Sequence, residues 1–389
     1  MPVRIVSSLS KVSCMIPARA GYTGNQSRGC SKIALARGKT PFGKGRPAGL
    51  PLQICVGAHL CVRPFIPYPS IFRTPSPASC GVGAMKIVIA GGTGFIGKAM
   101  VRAWAPEHHL VILTRAPERA QPQLPAGVRA LGWDGETLGD WVQQLEGAGA
   151  LINLAGESIA QRWTPAVKQR LWDSRVKTTA LLTQAVQQLQ SPPRVMLQAS
   201  AIGIYDQNPR TTCDESCPPG SGFLAELGKA WESAAQPVQE RGVRLCLMRF
   251  GVVLGEGGGA LERMLTPFKL GMGGPLGSGQ QWLSWVHIED VVGAAAFLME
   301  RDDLSGAFNF TAPNPVTMNE FAKTLGKVLL RPSFVRAPAF ALRLVLGEGA
   351  DALLQGSRVL PKRLLEAGYE FLYPHLEDAL RRLLASNHA

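Results

Sequence analysis

The stretch Met85-Lys-Ile-Val-Ile-Ala-Gly-Gly-Thr-Gly-Phe-Ile-Gly97 constrains this chain more than any other, because a short β-branched run passes directly into glycines at 91, 94 and 97. Residues 86–90 read as a buried parallel strand, and the helix after it starts inside the glycine turn. Its free N–H groups and positive dipole end would then face a pyrophosphate. Gly91 permits the tight turn, Gly94 lets a ligand approach the backbone without a Cβ in the way, and Gly97 lets helix pack on strand. Such a glycine pattern alone also fits a plain βα turn. The apolar helix positions Phe95, Ile96, Met100, Val101 and Trp104, followed by a second strand at 110–114, complete a β-α-β unit of the length a dinucleotide site needs.

At 389 residues and 46% hydrophobic, the chain can bury a large core and suffices for one large α/β domain with an appendage or for two domains. The net charge of +13 suggests a nucleic-acid or membrane partner until its location is considered. Residues 1–84 hold eleven Lys or Arg and no acid, which leaves +2 for residues 85–389. The same segment holds five of the eight cysteines and ten of the 29 prolines, with no sustained helix or strand period, so it reads as a disordered basic extension. It fits upstream sequence ahead of a natural start at Met85, an organelle transit peptide, or a nucleic-acid-binding arm. The first of these places the protein in the cytoplasm and the second in a plastid or mitochondrion. No apolar run of about 18 residues offers a membrane span, so no membrane partner is expected, and none of nucleic acid for the core. Cys213, Cys217 and Cys246 have neither disulfide spacing nor His partners at zinc spacing, which predicts free thiols and no metal.

From Met85 the chain alternates short β-branched runs with longer helical patterns, the signature of a Rossmann-type, doubly wound parallel α/β sheet. Strands are predicted at 86–90, 110–114, 128–132, 150–154, 195–199 and 243–249, and helices at 95–105, 138–146, 165–190 and 223–241. A nucleotide-binding domain is assigned to 85–254. Residues 255–389, glycine-rich and then helical, form a smaller substrate lobe, some segments of which return to the sheet.

The residue ending the second strand distinguishes the two nicotinamide cofactors, since a carboxylate there binds the ribose of NAD and an Arg accommodates the 2′-phosphate of NADP. Here the strand ends in Thr114-Arg115 with no acid before Glu118. This predicts NADP (NADPH), although Arg115 also fits a solvated surface cation.

Four motifs together resemble the extended short-chain dehydrogenase/reductase superfamily: the Gly91 to Gly97 turn, Asn153-Leu-Ala-Gly156, the Arg249 to Gly255 strand end, and the Val286 to Asp290 helix start. Ser174 to Thr179, Leu265 to Gly279 and Leu360 to Leu364 are similar to segments of its atypical "epimerase family" branch. The resemblance covers residues 85 to about 384. It implies cofactor contacts at Gly91, Thr93, Gly94, Phe95, Ile96, Gly97, Thr114, Arg115, Leu154, Ala155, Gly156, Arg175 and Val253. Arg175 would reach the phosphates, or else form a surface ion pair.

The resemblance also implies a Tyr followed four residues later by a Lys, with a nearby Ser, for proton transfer. This chain departs from that pattern. None of Tyr205, Tyr369 and Tyr373 has Lys at i+4, and the corresponding helix reads Phe223-Leu-Ala-Glu-Leu-Gly-Lys229. The Ser position is Ala201, one residue after Ser200. The substitutes are Ser200 near a strand end, Lys229 on the helix and His287 at a helix start. Against each stands a bland role: a structural hydroxyl, an exposed helix lysine, a helix-entry residue beside Asp290. Tyr205 reads as structural, and Trp282 and Trp285 as packing between lobes or a pocket wall. Two functions follow: an NADP-dependent oxidoreductase or epimerase acting on a small carbonyl or sugar-like substrate, with a homodimer as one expected assembly, or a non-catalytic NADPH-binding regulator or redox sensor linked with cell or plastid division.

Overall fold

In the strand β1 (Lys86–Ala90), Ile87 and Ile89 point to one face and Val88 and Ala90 to the other, and all four are fully buried. A strand apolar on both sides must be covered on both sides, which is the condition for a parallel sheet with helices on each face. The computed structural model describes residues 83–385 and meets that condition. The strands β2 (His109–Thr114), β3 (Arg129–Gly132), β4 (Ala150–Asn153), β5 (Val195–Ala201), β6 (Arg244–Phe250) and β7 (Gly306–Phe310) join β1 in one sheet of order β3-β2-β1-β4-β5-β6-β7. Every pairing is parallel.

One face carries α1 (Phe95–Trp104) and α5 (Ile288–Glu300), whose Met100, Val101, Val291 and Leu298 pack on Ile87, Ile89 and Ile152. On the other face lies α2 (Pro165–Gln187), whose Leu182 and Val186 meet Val88 and Leu151. Beside α2 packs α3 (Phe223–Ala235). A separate cluster joins α4 (Gly259–Lys269), α6 (Met318–Leu329) and α8 (Leu376–Ala385) around Trp285, Phe268, Phe321 and Leu380. A short helix, α7 (Ala339–Leu346), precedes these last segments.

The six predicted strands lie within two residues of their expected bounds. The helix expected at 138–146 is a 3-10 turn, Asp140–Gln144, closed off by Gly139 and Gly147. The one expected at 223–241 ends as an α-helix at Ala235, and Pro237 carries it on as 3-10. The seventh strand lay outside the predicted set because Gly306 opens it and polar Asn309 interrupts its apolar run. Asn309 is fully buried and satisfied: its amide donates to Leu360 O at 3.0 Å and its Oδ1 accepts from Tyr205 at 2.8 Å. Among the described residues no helix is long and apolar enough to cross a membrane. The basic extension, apart from its last two residues, lies outside the described part.

Candidate functional site

The turn after β1 is shaped by what its glycines exclude. Gly91 has φ +80°, and a Cβ there would stand 2.8 Å from the carbonyl carbon of Leu154. Its bareness therefore lets the turn after β4 press against it. A Cβ at Gly97 would meet Gly91 O at 2.5 Å, so that glycine permits the close seating of α1 on the turn. Gly94 differs, because its missing Cβ would meet only Gly91 O, at 3.2 Å. Gly94 is the N-cap of α1, no side chain caps the helix, and its first turn carries no acid. The helix thus presents its N–H groups and positive dipole end toward an open side, the arrangement that holds a phosphate.

Beside this turn, at the end of β2, is a cleft of about 290 Å³ lined by Thr93, Thr114, Lys98, Arg102 and Arg119, with Val101 and Leu124 as apolar walls. Among the described residues none of these three cations, nor Arg115, takes part in an ion pair. Three unneutralised cations around one cleft select for an anion. Arg115 is exposed and does not line the cleft. Lys98 and Arg102 were missed from sequence, although their i, i+4 spacing on α1 puts them on one helix flank.

The ring of Phe95, at the start of α1, lies under the glycine-rich loop 255–259. A Cβ at Gly255 or at Gly258 would come within 2.7 Å of that ring. This loop follows the short strand Val252–Leu254, in which Val253 is half-buried. The glycine run therefore closes over the cofactor-type turn.

After β4, Asn153 is fully buried and fixes its own turn. Its amide donates to Thr179 and Gln198, each at 2.9 Å, and its Oδ1 accepts from the N–H of Ala155 at 3.1 Å. Arg175 closes the far side of this turn. It donates to Glu157 O at 2.8 Å and Leu171 O at 3.1 Å, and it lies 5.1 Å over the Trp231 ring. Burial lowers its pKa to about 10, with Glu157 opposing, so at neutral pH it remains a cation compensated by carbonyl dipoles and not by a paired carboxylate. The surface ion-pair alternative does not describe it.

The groups considered for proton transfer are engaged elsewhere. Ser200 is 2% exposed and donates to Glu232 at 2.6 Å. Glu232 receives Arg249 through two bonds of 2.8 Å, and Arg249 also donates to the Tyr205 hydroxyl at 2.8 Å. The Tyr205 proton is committed to Asn309, and burial pushes its pKa up to about 12. These side chains, all buried, form a knot beneath the ends of β5, β6 and β7. Lys229 pairs with Glu226 on the flank of α3. The positions four apart that face the exit of β5 are Leu224, 3.5 Å from a Cβ at Gly203, and Gly228, whose Cβ would meet Ile204 at 3.0 Å. Neither side chain carries an ionisable proton.

His287 is fully buried, and its Nδ1 caps α5 by accepting from Glu289 N at 3.1 Å. Its ring lies on Tyr373 with centroids 3.9 Å apart, and burial, assisted by Arg382, drops its pKa to about 3. It stays neutral near pH 7 and does not exchange protons there. Asp290 fixes the C-terminal segment instead of the helix-entry turn, accepting from Leu372 N at 2.7 Å and Tyr373 N at 3.1 Å. Trp285 is core, and Trp282 donates to Pro209 O at 2.9 Å. Cys213, Cys217 and Cys246 are free thiols.

Comparison with known proteins matches the geometry. The NAD dependent epimerase/dehydratase family matches residues 87–310, and a domain of unknown function matches 337–383. A chloroplastic epimerase family protein SDR39U1 homolog of Arabidopsis thaliana is 38% identical over 306 residues, 77% of this chain and 87% of that protein. The epimerase family protein YfhF of Bacillus subtilis is 37% identical over 303 residues, 77% and 98% of the two chains. The crystal structure of human epimerase family protein SDR39U1 with NADPH superposes with a TM-score of 0.70 at 34% identity, covering 77% of this chain and 99% of that one.

Proposed function

The chain belongs to the NAD dependent epimerase/dehydratase family, and from that premise we propose that it binds NADPH and acts through nucleotide occupancy, without side-chain acid–base turnover. The cation-lined cleft beside an open helix N-terminus carries this reading. It offers Lys98, Arg102 and Arg119 to an adenosine 2′-phosphate, with Thr114 and Arg115 at the strand end. Phe95, Ile96 and Gly97 would present N–H groups to the pyrophosphate, and Leu154, Ala155 and Gly156, backed by Arg175, would follow the riboses. The crystal structure of the human relative with NADPH supports the same choice of nucleotide.

When bound, the nicotinamide supplies a hydride. What the chain adds is binding and orientation: Arg175 holds the 154–157 turn and Phe95 supports the loop over the cofactor. Among the described residues Ser200, Tyr205 and His287 are engaged elsewhere and Leu224 and Gly228 are hydrocarbon, which supports the reading without a side-chain proton carrier. A second reading, an oxidoreductase or epimerase taking its proton from water on a small carbonyl or sugar-like substrate, is favoured by the glycine-rich loop packed over Phe95. We place the protein in the cytoplasm, or in a plastid or mitochondrion if residues 1–84 serve as a transit peptide, a reading that the chloroplastic homolog supports.

Titration of NADPH and NADH, combined with stereospecific deuteride exchange against a carbonyl panel, separates these readings. Tight NADPH binding without exchange is the expected result. Stereospecific exchange at a rate useful for turnover replaces the first reading by the second, and equal affinity for the two nucleotides overturns the NADPH assignment.

A further inference from the structure

Helix α7, Ala-Phe-Ala-Leu-Arg-Leu-Val-Leu, has no fully buried residue in spite of its seven apolar side chains. Phe340 is 75% exposed and Leu344 72%, and just before the helix Phe334 is 79% and Leu330 89% exposed. The turn after α4 adds Leu270 and Met272, both exposed. The segment before the helix is joined to that turn, since Val335 N donates to Gly273 O at 3.1 Å and Leu276 bridges to Ala337. Contiguous bulky hydrocarbon at this exposure marks an interaction site.

Charge identifies the occupant. No acid occurs between Glu262 and Glu289 or between Glu320 and Glu348, whereas the patch carries Lys269, Arg331, Arg336 and Arg343, all exposed. Among the described residues, Arg343 alone of the four pairs with a carboxylate, Asp351, at 3.2 Å. A second copy placed face to face by a two-fold would set Arg against Arg. The chain's own first 82 residues are basic and acid-free, and so are of the wrong sign. Exposed Phe and Leu interspersed with Arg match the interface of an anionic bilayer, where hydrocarbon enters the headgroup boundary and each cation near the surface adds attraction to the anionic headgroups.

We propose that the α7 surface, with the turn after α4, seats the protein on anionic phospholipid membranes. This departs from the sequence expectation of no membrane partner, which rested on the lack of a spanning segment and did not address the surface. The proposal is independent of the NADPH reading. Its test is co-sedimentation of the full chain with phosphatidylcholine vesicles with and without phosphatidylglycerol, for the natural sequence and for Phe340→Asp/Leu344→Asp. Both side chains are exposed and distant from the nucleotide cleft residues in sequence, so melting temperature and NADPH affinity report whether the variant remains folded. Binding to the anionic vesicles, at least tenfold weaker binding to neutral ones, and a tenfold or larger loss in the folded variant are expected. Binding that survives the double substitution assigns the contact to the basic N-terminal residues and overturns the proposal. So does absence of vesicle binding, including the case in which light scattering shows a dimer that the substitutions dissolve.

Discussion

At the residue scale, cofactor preference depends on which cations reach the cleft. The sequence pointed to Arg115 because strand ends are legible from β-branched runs. Lys98 and Arg102 were not legible as ligands, since nothing in a helix sequence says which flank meets the neighbouring strand end. The structure puts them on the cleft and leaves Arg115 exposed beside it. Lys98→Ala and Arg102→Ala should each weaken NADPH by about 1.5 to 3 kcal/mol, the range for a hydrogen bond to a charged group, and leave NADH nearly unchanged. Arg115→Ala should cost less than either, because its competitor for the same phosphate is water. Fluorescence titration at two salt concentrations checks this ranking, and equal losses for NADH and NADPH would mean that these residues support the fold and not the phosphate.

At the element scale, two helix starts perform different tasks. The start of α1 is kept bare. Gly94→Val would place a branched side chain where a pyrophosphate must approach, with only Gly91 O nearby to collide with. We expect loss of both nucleotides with the melting temperature lowered by only a few degrees. Retained NADPH binding in that variant would remove the phosphate-cradle reading. The start of α5 is filled by neutral His287, and its role was illegible because a histidine at a helix entry reads equally as cap or catalyst until its burial is known. Its pKa falls from 6.5 to about 3. The unfolded chain therefore binds the extra proton, and stability present above pH 6.5 is lost as pH falls toward 3. Between pH 7.5 and 5 this amounts to about 2 kcal/mol. Asn also caps helices and does not titrate in this range, so His287→Asn should lose about that much less over the same interval in urea unfolding. Asp290, raised to about 6 by burial, acts in the opposite direction in both proteins and cancels in the difference. An unchanged pH dependence would contradict the buried neutral ring.

At the scale of the whole molecule, the sheet was legible because its strands are apolar on both faces, and β7 was not because Asn309 sits among its apolar residues. The turn after β1 was legible from its glycines together with the β-α-β pattern around them. The knot of Ser200, Glu232, Arg249, Tyr205 and Asn309 was illegible, since it joins residues up to 109 positions apart that meet only when β5, β6 and β7 lie side by side. All of these contacts, and the family match from 87 to 310, begin after Met85. Residues 1–84 bring eleven cations and no acid, with no sustained helix or strand period. A chain starting at Met85 should therefore equal the full chain in melting temperature and NADPH affinity, because a segment of that composition offers no core to contribute. Calorimetry and titration of the two chains, with mass spectrometry of the native N-terminus, decide the matter. A native peptide spanning 28–46 together with a destabilised Met85 chain would show the extension to be a retained part of the fold, and the boundary at Met85 would then be misplaced.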